Sequence, residues 1–213
     1  KATETGGRIP NGRPEFLRQQ CEESLKRLQT DVIDLYYLHR MDNNVPIEES
    51  VGALAQCVTE GKIRAIGLSE ISSASLRRAH AEHLITAVQS EYSLWARTPE
   101  FGMLSTCEEL GVSFVPFSPL GRGFLTGTSK DVTQLTDDDL RCSIARPRFE
   151  PDNFAHNIKL LDPMAAIAKR WDCSLSQLSL AWLLARKNSA GAKTLLPIPG
   201  TKHIEYMKEN LGA

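Results

Sequence analysis

Four short apolar runs, at residues 32–38, 63–68, 85–89 and 112–117, are separated by stretches whose apolar residues recur every three or four positions. The runs are dominated by Val, Ile, Leu, Ala, Phe and Tyr, which suits strands buried on both faces. Between them, residues 46–61 put Ile47, Val51, Leu54 and Val58 on one stripe, with acidic residues in the first turn and Gly61 as a stop. Residues 72–83, capped by Ser72 or Ser73, and 98–110, closed by Gly111, read as helices of the same kind. Buried strands alternating with amphipathic helices imply right-handed βαβ crossovers and a parallel sheet. The strand starts lie roughly 20–30 residues apart, compatible with the unit length of a (β/α)8 TIM barrel.

Upstream, residues 13–28 form a further predicted helix, with Pro14 near its start and Phe16, Leu17, Cys21, Leu25 and Leu28 on one face. After Gly121 the rhythm breaks. Residues 121–153 are rich in Gly, Asp, Arg, Thr and Pro without periodicity, as expected of an excursion at an active-site face. Helices are predicted again over 154–171 and 174–186, the second capped by Ser174, then a strand over 194–199 and a helix over 201–211. That makes five strands, whereas a closed barrel needs eight. The expectation is therefore an α/β chain, residues 1–213 as a single domain, supplying about the last five βα units of a (β/α)8 barrel whose first three units are absent. Such an arc alone has two unpaired edges.

Composition narrows the function classes. With 41% hydrophobic and 24% charged residues, the chain has the profile of an ordinary globular domain. A formal net charge of -1 leaves no basic stripe for nucleic acid and no polybasic segment for anionic lipid. No stretch approaches the ~18–20 apolar residues of a membrane span, and the first residues lack a signal-peptide core, so a cytoplasmic location is expected. Cys21, Cys57, Cys107, Cys142 and Cys173 are scattered without a C-x-x-C spacing, so neither a disulfide framework nor a metal site is expected.

The candidate chemistry sits at the ends of the predicted strands. Asp34-Leu-Tyr-Tyr-Leu-His39 ends in an imidazole, suited either to proton donation and carbonyl polarisation or to a satisfied structural role. Ser69, Glu70 and Gln89 end the next two strands with groups that suit an amide or sugar ligand, or a plain capping role. The stretch from Phe117 to Gly127 (Phe-Ser-Pro-Leu-Gly-Arg-Gly-Phe-Leu-Thr-Gly) combines an aromatic ring, glycines and one Arg, yet lacks both the dinucleotide and the P-loop glycine fingerprints; taken alone, a plain turn is the competing reading. Pro197-Ile-Pro199-Gly200-Thr201-Lys202-His203 leads from a strand into a helix, where backbone N–H groups and the Lys202 ammonium favour a phosphate; a solvated lysine is the competing reading.

Taken together and in this order, Leu-Tyr-Tyr-Leu-His39-Arg, Gly-Leu-Ser69-Glu70, Val-Gln89-Ser-Glu-Tyr-Ser, the 117–127 stretch and Ile-Pro-Gly-Thr-Lys202 with Glu209-Asn210 closely resemble the aldo-keto reductases, particularly the branch with pyridoxal-type and perakine-type reductases. The resemblance runs from residue 13 to the end. It implies a barrel that binds NADP extended across its C-terminal face and reduces a small-molecule aldehyde or ketone. His39 matches the histidine of the family's Asp-Tyr-Lys-His tetrad, which orients and polarises the carbonyl. Ser69, Glu70 and Gln89 match the nicotinamide carboxamide positions, although many relatives have Asn at position 70. Phe117 matches the ring-stacking position, and Ser118, Pro119, Leu120, Gly121 and Arg122 match the pyrophosphate loop. Gly200, Thr201, Lys202 and His203 match the 2′-phosphate site, with Arg in many relatives at position 203, while Glu209 and Asn210 lie near the adenine. The tetrad's Asp, Tyr and Lys find no match; Lys1 is not read as that lysine, and these 213 residues alone are expected to be inactive as a reductase. Two other readings share the barrel: a non-catalytic nicotinamide-binding regulatory subunit, and an unrelated enzyme that holds a phosphate-bearing substrate at the last strand–helix junction.

Overall fold

The computed structural model describes residues 9–128, 131–133, 135–136, 139–142, 145–189 and 194–213. Lys1 lies outside the described residues. No helix among them is long and apolar enough to cross a membrane. The chain divides into two compact units, one made of Lys1–Glu91, Thr98–Pro116 and Lys187–Leu196, the other of Tyr92–Arg97, Phe117–Arg186 and Pro197–Ala213.

The first unit carries the predicted alternation. Helix α1 (Pro14–Leu28) leads into β1 (Tyr36–Leu38), then α2 (Ile47–Thr59), β2 (Ile66–Ser69), α3 (Ser73–Glu82), β3 (Ile85–Glu91), α4 (Met103–Leu110) and β4 (Ser113–Phe117). The sheet order is β1-β2-β3-β4, and the registered pairs of β1 with β2 and of β2 with β3 are parallel. Every residue of β2 is buried, the pattern expected of a strand covered on both faces. Val51, Leu54, Leu76 and Cys107 from the helices are fully buried with Ile66, Val88 and Phe114 from the strands. Local chemistry sets the helix ends. The Ser72 hydroxyl accepts the Ser75 N–H at 3.1 Å, and Gly111, at φ 67°, closes α4 where a left-handed residue suits glycine.

Several expected boundaries move. The first strand is only Tyr36–Leu38; further upstream just Ile33 bridges to Ile63, and Asp34 is held by the side chain of Arg64 at 2.8 Å. The helix expected over 98–110 is a 3-10 turn, Thr98–Phe101, followed by α4, because Gly102 at φ 139° breaks the path. The strand expected over 194–199 is reduced to one bridge, Phe114 with Leu195, made by Phe114 N to the Thr194 carbonyl (2.8 Å) and Leu196 N to the Phe114 carbonyl (3.0 Å). Pro197 and Pro199 have no N–H to extend that ladder.

The second unit holds α5 (Arg146–Phe149), α6 (Pro151–Asn157), α7 (Leu161–Arg170), α8 (Leu175–Ser189), which runs on into the first unit, and α9 (Ile204–Leu211). One helix was expected over 154–171; instead a 3-10 turn, Ile158–Leu160, separates α6 from α7, and Pro163 supplies no N–H for the Lys159 carbonyl. Helix α8 opens with a reciprocal cap: the Ser174 hydroxyl accepts Gln177 N at 3.1 Å, and the Gln177 side-chain oxygen accepts Ser174 N at 3.0 Å. The excursion that showed no periodicity has a core of its own. Phe124, Leu125, Ala145, Phe149, Phe154 and Leu161 are buried together. Trp95 stacks on Phe124 with centroids 4.0 Å apart and meets Phe149 edge-on at 5.8 Å. The aromatic contacts bridge distant sequence positions, which is why no local period announced them.

Candidate functional site

In the first unit, strand register gathers one group of candidates. Leu38 pairs with Leu68 and Ser69 with Gln89, so His39, Ser69 and Gln89 stand at neighbouring C-terminal strand tips. Ser69 is buried and His39 is exposed. Arg40 crosses between the first two tips: its Nη1 donates to the His39 carbonyl at 2.6 Å and to Ser69 Oγ at 3.1 Å. Glu70 joins the second tip to the third. Its N–H donates to the Gln89 carbonyl at 2.9 Å, and its Oε1 accepts the Glu91 N–H at 2.9 Å. Glu70 does this at φ 50°, in the left-handed region that Asn tolerates better than Glu.

The second unit gathers the other group. The loop after β4 and the segment at 198–201 line a cavity of about 500 Å3 together with Ser176 of α8 and Tyr206, Glu209 and Asn210 of α9. Of the expected binding residues, Phe117, Ser118, Pro119, Leu120, Arg122, Gly200, Thr201, Glu209 and Asn210 are in its wall. Gly121 is buried behind that wall, and a Cβ there would meet Trp95 at 3.1 Å and Leu125 at 3.2 Å. Ser118, Gly121, Arg122 and Gly123 all have positive φ, from 48° to 89°. Two of these are not glycine, and such backbone strain, about 1–3 kcal/mol per residue, concentrates where a chain is shaped around a ligand.

Lys202 and His203 lie in a second, more open hollow of about 630 Å3, shared with Arg122, Asp139, Arg141 and Tyr206. Arg141 grips Asp139 through two side-chain bonds, 2.9 and 2.7 Å, which hold the Asp139 carboxyl at about 2. The last helix starts later than expected, at Ile204; Thr201 Oγ1 accepts the His203 N–H at 3.1 Å, so Thr201–His203 is a turn ahead of α9 and not its first turn.

Sequence reasoning missed Thr128, Ser176 and Tyr206 in the first cavity, and Asp139 and Arg141 in the second. Tyr206 was within reach, since it lies three and four positions before Glu209 and Asn210 on one helical face. Ser176 carried no such signal.

A cavity of this size, with an aromatic at its wall, an Arg and an amide–carboxylate pair, fits a nucleotide-sized ligand. The aldo/keto reductase family model matches residues 1–213. The chain belongs to the aldo/keto reductase family. Its parallel α/β architecture is thus part of a (β/α)8 barrel. It is 46% identical over 202 residues to a probable aldo-keto reductase of Glycine max, covering 95% of this chain and 56% of that protein. Among solved structures it is similar to a glycerol dehydrogenase of Gluconobacter oxydans (TM-score 0.80, 28% identity, 95% of this chain and 61% of that one). It is also similar to an aldo/keto reductase of Klebsiella pneumoniae solved with NADP and acetate (TM-score 0.65, 26% identity, 92% and 58%). The chain therefore spans between 56% and 61% of the length of these relatives.

Proposed function

We propose that this chain is the cofactor-binding part of an NADP-dependent aldo-keto reductase that converts an aldehyde or ketone to an alcohol. The observation that carries the reading is the cavity of the second unit, where the 117–123 loop, the 198–201 segment and the Glu209–Asn210 pair meet in one wall. The NADP held by the Klebsiella pneumoniae relative supports the choice of cofactor. In this reading residues 1–213 are one domain, supplying about five βα units of a (β/α)8 barrel.

Bound NADPH supplies the hydride. Ser69 and Gln89, with Glu70 between them in chain order, hold the nicotinamide carboxamide, and Phe117 offers a ring for stacking. The Ser118–Arg122 loop wraps the pyrophosphate, with the Leu120 and Arg122 N–H groups and the Arg122 guanidinium as donors. Gly200, Thr201, Lys202 and His203 take the 2′-phosphate, and Glu209 with Asn210 reads the adenine. His39 orients the carbonyl by a hydrogen bond from its imidazole, which polarises the oxygen as charge develops there.

The test is a titration of the full-length protein with NADPH, combined with carbonyl-dependent loss of reduced-cofactor absorbance. Saturable binding that Arg122→Ala and Asn210→Ala each weaken by about tenfold is the expected result. No binding would overturn the reading, and tight binding without turnover of any aldehyde or ketone would turn it into that of a regulatory subunit.

A further inference from the structure

Arg40 has no assigned part in the reaction, yet its head lies at the strand tips. Both of its hydrogen bonds leave from Nη1, one to the His39 carbonyl and one to Ser69 Oγ, and among the described residues no carboxylate is paired with it. Two acceptors on one nitrogen orient the planar, positively charged guanidinium. Ser69 is 3% exposed, so the charge stands directly against a nearly buried hydroxyl. That hydroxyl has a single proton; since it accepts from Arg40, its own proton is available to another acceptor. The nearby carboxylate of Glu70 is turned to the Glu91 N–H, not to Arg40.

We infer that Arg40 sets the preference of the site for reduced over oxidised nicotinamide. The inference rests on the proposed placement of the carboxamide at Ser69 and Gln89. The oxidised ring carries a positive charge that the reduced ring lacks. A guanidinium fixed beside the carboxamide subsite therefore repels the oxidised cofactor and leaves the reduced one nearly unaffected. The consequence is a bias toward carbonyl reduction, because the spent cofactor is the form held less tightly. Arg40 is in this sense a positioning and charge-setting residue, not one that touches the reacting atoms.

The test measures dissociation constants of the full-length protein for NADPH and for NADP+, at low and high salt, in the wild type and in Arg40→Met, Arg40→Lys and Ser69→Ala. The ratio of the two affinities cancels contributions from the adenosine end. Arg40→Met is expected to shrink the preference for NADPH by about fivefold at low salt, chiefly by tightening NADP+, while Arg40→Lys keeps most of it. In the wild type the preference should itself shrink as salt rises, a readout that needs no variant. Equal changes in both affinities on Arg40→Met, with a salt-independent wild-type ratio, would show that Arg40 only supports the tip and would overturn the inference. Ser69→Ala separates this from a failure of the underlying reading: weakening of both forms upholds the carboxamide subsite, whereas no effect on either removes the subsite and the inference with it.

Discussion

The ring of Tyr37 lies over Gly67, its registered partner on the neighbouring strand, so closely that a Cβ on Gly67 would stand 2.8 Å from Tyr37 Cζ. Glycine here is a matter of space, since β2 is otherwise Ile66, Leu68 and Ser69 in full burial. Gly67→Ala should destabilise the protein by about 1–3 kcal/mol, the usual cost of overpacking. Urea denaturation checks this, and adding Tyr37→Leu should restore most of the loss if the ring is the obstacle.

At Glu70, φ 50° makes the backbone the deciding factor. Glu70→Gly and Glu70→Ala both remove the bond to the Glu91 N–H, but only glycine relieves the left-handed strain. The Gly variant should therefore be the more stable of the two by about 0.5–1 kcal/mol, the reverse of their order at an ordinary strand position. Paired thermal melts would decide it.

Asp139 gives a pH dependence with a definite sign. Arg141 holds its carboxyl at about 2, below its ordinary 3.8, so the folded state favours the charged form. The stabilisation is complete above the ordinary value and is lost as pH falls through about 2. Both side chains are partly solvated, which limits the effect to about 1 kcal/mol or less. Asp139→Asn should lower the melting temperature at pH 7, and the difference from wild type should shrink as pH falls below 3.8 and through about 2.

His39→Ala in the full-length enzyme should lower kcat/KM by on the order of 10²-fold or more while leaving NADPH affinity almost intact. The position of His39, exposed at the β1 tip beside Ser69, is the reason to expect a kinetic rather than a cofactor-binding effect. Near-normal turnover would return the imidazole to a structural role.

Lys202→Ala should weaken NADPH by about tenfold or more and leave NADH nearly unchanged. Lys202 shares its hollow with Arg122, Arg141 and His203, so some phosphate affinity should survive the loss of one cation. Equal weakening of both cofactors would assign Lys202 to the fold or the pyrophosphate.

Much of the first unit was legible in the sequence. Residues 46–61, 72–83 and 13–28 became α2, α3 and α1 within a residue or two, because their stripes, Ser72 and Pro14 act over a single helical turn. The parallel sheet followed from the alternation itself. The last strand did not survive, since the run Thr194 to Pro199 is apolar but its two prolines cannot donate.

The site divided along the same line. By itself the sequence determined which residue types end each strand and that His39, Ser69 and Gln89 stand at successive tips, because strand order and parallel register follow from chain order in a βαβ array. Only tertiary structure decided that Arg40 reaches Ser69 and that Trp95, Phe124 and Phe149 build a core under the loop of Gly121. It alone brought Ser176, Tyr206, Asp139 and Arg141 to the walls of the two hollows. Those meetings join positions tens of residues apart through packing, and packing leaves no period in the chain for a sequence to display.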